Sequence, residues 1–217
     1  MSPSPGFRRA AALVALAAWS FLAIRIGTAV EAGQAEGLSL GAIAYRLAGY
    51  FTVLTNLMVA LAMSAVAAGR WPGGARASDS ALAAVTLYIV LVGVVYHLLL
   101  ADLWHPTGWA RVADIGLHYV EPALVLVTWL AFAPKQRLRW RDPLYWLAYP
   151  AAYGLYIQLR GALDDWYPYP LPATTALGPE QTLRNILRLG GAILLLGLLL
   201  IAVGRGMSRV ARGSAPG

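Results

Sequence analysis

Six stretches of this chain are apolar over the length a lipid bilayer demands. A spanning helix takes about 20 predominantly apolar residues, with a range of about 17–25. The stretches run from about Ala10 to Val30, Arg46 to Ala68, Ser80 to Ala101, Val112 to Ala133, Pro143 to Arg160 and Asn185 to Gly204. Of the 217 residues, 59% are hydrophobic and 12% charged, and that charged fraction is about half of what a soluble domain carries. The expected fold is therefore all-α: a polytopic membrane protein with six transmembrane helices, in which residues 1–217 form a single integral membrane domain. The first stretch follows Arg8 and Arg9 and precedes small residues near Ala32, which is also the outline of a signal peptide. Its length favours a retained helix, as does Arg25, placed where a long side chain snorkels to the interface.

The basic residues orient these spans. With the N-terminus inside, the inside segments hold Arg8, Arg9, Arg70, Arg76, Lys135, Arg137, Arg139, Arg141, Arg205, Arg209 and Arg212, which is 11 of the 17 Lys and Arg. Of the acids they hold only Asp79 and Asp142. Both termini are thus expected on the cytoplasmic side. The net charge of +7 is explained by this asymmetry and calls for no nucleic-acid partner. Absence of Cys excludes disulfides, thiolate metal sites and Cys nucleophiles. His97, Asp102 and His105 surround the outer loop after the third span without a recognised metal spacing, and three histidines exclude a multi-haem protein. HExxH and phosphate-loop motifs are missing, and no internal repeat supports a transporter built by duplication. No metal and no cofactor is expected. Gly190, Gly197 and Gly204 are seven apart, which suits close helix packing.

Polar groups inside a bilayer are costly and mark either function or packing. In this orientation Thr52, Thr55 and Asn56 fall in the outer half of the second span, and His97 near the outer end of the third. Asp114, His118 and Glu121 occupy the outer half of the fourth, spaced i, i+4, i+7 on one helical face. Arg160 closes the fifth span and Arg184 opens the sixth on the same side. At 1.5 Å per residue, Thr52 and His118 both lie roughly 6–9 Å below the outer boundary. A hydroxyl beside an imidazole that a carboxylate orients is the arrangement of an activated nucleophile. Each residue also has a plainer role. Thr in a membrane helix bonds its own i−4 carbonyl; Asp114 suits the positive end of a helix dipole; and Arg25, Arg46 or Arg160 can pair with Glu121.

Three segments, YFTVLTN at 50–56, LHYVEP at 117–122 and RGALDDWYPYP at 160–170, occur in an order and spacing that resembles the androgen-induced-protein-like family of six-span membrane proteins, in its bacterial branch. The resemblance implies a bacterial cell membrane and hydrolysis of amphiphilic esters such as fatty acid esters of hydroxy fatty acids. It implies a threonine nucleophile matched by Thr52, with Thr55 as the competing hydroxyl, and a histidine matched by His118. Asp114 is then expected to orient His118 and Asn56 to help hold the oxyanion, with Glu121 and Arg160 in support. The contrasting expectation is a non-catalytic lipid-binding or transport protein whose polar layer is an outward-facing pocket. In the Tyr-Pro loop, Pro168 and Pro170 stiffen the chain, so Trp166, Tyr167 and Tyr169 form either a lid folded back over the pocket or an anchor in the headgroup layer.

Overall fold

The computed structural model describes residues 2–74, 77–169 and 174–213. Arg76, Pro170, Gly217 and the Arg212 side chain, which figure in the expectations above, lie outside the described residues. Among these residues the chain is helical without strands: α1 (Pro5–Ala35), α2 (Leu40–Ala48), α3 (Phe51–Ala67), α4 (Ser78–Val95), α5 (Gly108–Ile115), α6 (Glu121–Phe132), α7 (Asp142–Trp146), α8 (Ala148–Asp164), α9 (Thr174–Leu177) and α10 (Pro179–Gly213). Four continuous helical stretches are long and apolar enough to cross a membrane: Pro5–Ala35, Ser78–Leu103, Gly108–Phe132 and Pro179–Val210. A fifth is added if α2 and α3, bent by 84°, count as one. Large apolar side chains cover the outside of the bundle, among them Leu16, Leu61, Val127, Leu155 and Leu195. Such an apolar exterior fits a lipid solvent.

Two expected spans differ from the sequence reading, each for a local reason. The second is not straight from Arg46 to Ala68, because α2 turns away at Gly49. A Cβ on Gly49 would sit 2.6 Å from the Trp166 ring and 2.8 Å from Arg160 Nη1, so the chain passes there only without a side chain. Tyr50 is extended (φ −86°, ψ 121°) and starts α3 in a new direction. The fifth, expected from Pro143 to Arg160, is split into α7 and α8. Pro150 has no N–H to give the carbonyl four residues back, that of Trp146, and the helix breaks at Leu147. Tyr88 Oη of α4 donates to that orphaned carbonyl at 2.8 Å.

Consecutive long elements run in alternate directions, so the bundle has two unlike ends. One end is basic and tightly tied. Arg8 Nε donates to the Ala67 carbonyl at 3.1 Å, Asp79 accepts from the Arg137 amide at 2.9 Å, and Arg205 Nη1 donates to Leu138 at 2.9 Å. Lys135 is buried there, and its ammonium closes α6 by donating to the carbonyls of Trp129, Leu130 and Ala133 at 2.7, 3.0 and 2.8 Å, a favourable place for a cation at a helix C-terminus. The core between the ends is filled by Phe7, Met63, Leu82, Leu87, Ile89, Trp129 and Ile201. Of the three spaced glycines, Gly197 packs on Pro143 and Gly204 on Leu138, whereas Gly190 faces open space. The candidate functional residues gather at the other end.

Candidate active site

Thr52 stands in the first turn of α3. The first hydrogen bond of that helix runs from Leu54 N to Tyr50 O, so the amides of Phe51, Thr52 and Val53 precede any intrahelical acceptor. A hydroxyl on this turn therefore sits at the positive end of the helix dipole, beside amides that lack an intrahelical acceptor, of which Thr52 N donates to Tyr169 Oη at 3.4 Å.

His118 comes from the stretch Gly108–Phe132, where a π-helical turn over Gly116–Val120 separates α5 from α6. Pro122 explains the turn. It has no N–H for the His118 carbonyl and its ring crowds that carbonyl, so the ladder widens to i→i+5 bonding; Glu121 N reaches back to Gly116 O. Gly93 of α4 lies close against the His118 carbonyl. The widened turn also changes the expected face. Glu121 makes no hydrogen bond to Asp114 or His118: it is fully buried, and both its oxygens lack a partner. Nor do the three arginines reach it. Arg25 lies over the Tyr50 ring, Arg46 pairs with Glu36 at 2.9 Å, and Arg160 is held by Tyr45 and Tyr156.

The two helices bring Thr52 Oγ1 to 3.3 Å from His118 Nε2. On the far side of the ring, Nδ1 lies 3.1 Å from Asp114 Oδ1 and 2.9 Å from the Asp114 carbonyl. Both neighbours of Nδ1 are acceptors, so the network assigns its proton there and leaves the Nε2 lone pair facing the threonine hydroxyl. Tyr96 fixes this unit from two directions. Its ring stacks on the imidazole with centroids 3.8 Å apart and planes 15° apart, and its hydroxyl donates to Asp114 Oδ2 at 2.6 Å. The result is a hydroxyl, imidazole and carboxylate in series, half-buried and held by α3, by α5 and by the π-helical turns Tyr96–Leu100 and Gly116–Val120.

Thr55 is separated from this series. It is fully buried, and its hydroxyl bonds Tyr149 Oη at 3.0 Å. Asn56 departs from the oxyanion role expected of it, because its amide N–H groups are taken by the carbonyls of Thr52 at 2.9 Å and Leu117 at 3.5 Å. It braces α3 against the His118 segment instead. His97 is exposed and bonds Tyr119 Oη at 3.3 Å. Among the described residues no group of three His, Asp or Glu could hold a metal ion.

The loop after α8 completes the site. Asp165 ends α8 in the left-handed conformation (φ 55°) and reverses the chain, a conformation Asp tolerates better than most side chains. The loop then folds back on the bundle. Tyr167 fills the space over Gly161, and Trp166 meets Tyr50 edge-on with centroids 5.8 Å apart. Tyr169 reaches the nucleophile position: its hydroxyl lies 3.4 Å from Thr52 Oγ1 and 3.4 Å from Thr52 N. Burial pushes its phenol up to about 12, so it keeps its proton through neutral pH. Sequence reasoning missed Tyr96, and it left Tyr169 between a lid over the site and an anchor in the headgroup layer. Tyr96 reads as a core aromatic in an apolar span, and Tyr169 as one of three interfacial aromatics. Only the reversal at Asp165 singles it out. No family model matches this chain, and no curated protein or solved structure is detectably similar to it.

Proposed function

We propose that this protein is a membrane esterase that uses Thr52 as nucleophile on amphiphilic esters. The observation that carries the reading is the aligned series from Thr52 Oγ1 through His118 Nε2 and Nδ1 to Asp114. In this reading the Thr52 oxygen attacks the ester carbonyl while His118 Nε2 takes its proton. Asp114 stabilises the imidazolium that forms. Negative charge gathers on the former carbonyl oxygen, where the Tyr169 hydroxyl, 3.4 Å from Thr52 Oγ1, is the donor at hand. Collapse of the tetrahedral intermediate breaks the ester C–O bond, and His118 returns its proton to the departing alcohol. Water, deprotonated by His118, then attacks the acyl-threonine; collapse breaks the bond to Thr52 Oγ1, His118 returns its proton to that oxygen, and the acid leaves. Hydrolysis balances with one water consumed and no cofactor needed.

Six membrane crossings, an outward-facing site and cytoplasmic termini in a bacterial cell membrane complete the proposal. The alternation of the long elements and the concentration of Arg8, Arg9, Arg70, Lys135, Arg137, Arg139, Arg141, Arg205 and Arg209 at one end support it. A reporter fused after Gly217 should behave as cytoplasmic. Activity of that reporter outside the membrane would invert the orientation and put the site on the inner face. Membership of the androgen-induced-protein-like family is part of the same proposal and rests on the three segments quoted above.

The reading assigns Tyr169 a role that its neighbours lack. Tyr169→Phe should lower kcat on a long-chain ester by about 10²-fold, the usual cost of losing one oxyanion donor, with KM little changed. Turnover by the purified protein in detergent measures this. Unaltered kcat would remove Tyr169 from the mechanism. No turnover of any ester by the wild-type chain would favour a lipid-binding or transport protein with the same pocket.

A further inference from the structure

We infer that the free edge of Arg160 is a receptor for the carboxylate of a long-chain amphiphile. Arg160 lies in the last turns of α8 and is 4% exposed. Its Nη1 is satisfied, donating to the Tyr45 carbonyl at 2.8 Å and to Tyr156 Oη at 3.1 Å. Three aromatic rings enclose the guanidinium, those of Tyr45, Trp166 and Tyr156, with centroids 3.6, 4.9 and 5.6 Å from its carbon. The Nε and Nη2 atoms are buried and have no hydrogen-bond partner. These two N–H groups share one edge of the guanidinium and point in parallel, the geometry that receives both oxygens of a carboxylate. The nearest acid, Asp164, stands with Oδ2 4.0 Å from Nη2, beyond hydrogen-bond reach, and its side chain is one-third exposed.

A desolvated charge without a bonded counter-ion is costly, and more so in a membrane protein. Aromatic walls remove the water that would otherwise serve. One positive charge presenting one two-pronged edge matches a planar monoanion; a phosphate monoester would leave oxygens unpaired. Neighbouring Leu155, Leu159 and Leu163 on α8 are exposed, so an alkyl chain can lie beside the charged head. The receptor also adjoins the candidate active site. Trp166 contacts Tyr50, Tyr50 meets Tyr169 with centroids 5.9 Å apart, and Tyr169 touches Thr52. The binding claim stands apart from catalysis. Only the further step, that the carboxylate belongs to the ester being cleaved, rests on the esterase reading.

The test uses full-length Thr52→Ala protein in detergent, which binds without turning over. Calorimetric titration with oleate, oleyl alcohol and acetate separates charge from chain. Oleate should bind at least about tenfold more tightly than oleyl alcohol, the scale of one charge-assisted pair, and acetate should not compete with it. Arg160→Gln should erase the preference for oleate. Asp164→Asn removes the competing carboxylate and should tighten oleate several-fold, which keeps the inference testable if Arg160→Gln fails to fold. Equal binding of oleate and oleyl alcohol would overturn the receptor, and effective competition by acetate would overturn its amphiphile specificity. So would an Asp164→Asn variant that melts earlier without binding oleate more tightly, since Arg160 and Asp164 would then be a structural pair. Failure of the esterase reading would appear instead as absent turnover in the wild-type protein with oleate preference intact.

Discussion

Thr52→Ala and His118→Ala should each lower ester turnover by about 10³-fold or more, because neither half of a nucleophile–base pair works without the other. The double variant should be little worse than either single one, since the two residues act as a unit. Thr52→Ser keeps the hydroxyl and should retain measurable activity. Thr55→Ala is the control. It removes the bond to Tyr149 at 3.0 Å, which should cost about 1 kcal/mol of stability and leave turnover near wild type. Initial rates on one ester, measured on protein shown folded by its thermal transition, decide the matter. Loss of activity in Thr55→Ala but not in Thr52→Ala would move the nucleophile one turn of α3 away from His118.

Asp114→Asn should be nearly as damaging while changing the least structure. The carboxylate accepts from His118 Nδ1 at 3.1 Å and from Tyr96 Oη at 2.6 Å. An amide in its place removes the negative charge that stabilises the imidazolium and leaves Nδ1 held chiefly by the residue 114 carbonyl, 2.9 Å away. A loss of about 10²–10⁴-fold in kcat is expected, with KM and the melting temperature little moved. Tyr96→Phe removes one bond to Asp114 but keeps the ring stacked on His118, so its cost should be nearer tenfold, the value of about one hydrogen bond to a charged group. If Asp114→Asn is as active as wild type, Asp114 is only an interfacial helix residue and the series ends at His118.

What could be read from the sequence follows from how local each determinant is. The apolar lengths announce membrane helices because burial in lipid acts on about 20 consecutive residues at once. Asp114 and His118 are four apart, so their juxtaposition is a property of one helix and was visible. The Thr52–His118 pairing was reachable because both depths are counted from the same membrane boundary. The bend at Gly49 was not legible, because nothing local marks it: Trp166 and Arg160, more than a hundred residues on, crowd the glycine. Pro150 and Pro122 each remove one helical donor, yet the outcomes differ. Pro150 splits α7 from α8 where Tyr88 can supply the missing donor, whereas Pro122 widens one turn and the helix continues. That widened turn defeated the expectation that Glu121 would share a face with His118, since the i+7 rule holds only for an unbroken 3.6-residue period. Tyr169 and Arg160 acquire their meaning from contacts between distant segments, which spacing alone does not encode.

The central claim is that His118 activates the Thr52 hydroxyl, and a fluorophosphonate probe tests it most directly, because such probes react with activated hydroxyls and spare ordinary ones. The purified chain should be labelled, with the adduct mapped by mass spectrometry to Thr52, and the labelling should vanish in His118→Ala and fall sharply in Asp114→Asn. An unlabelled wild-type protein, or an adduct on another residue that survives His118→Ala, would contradict the account.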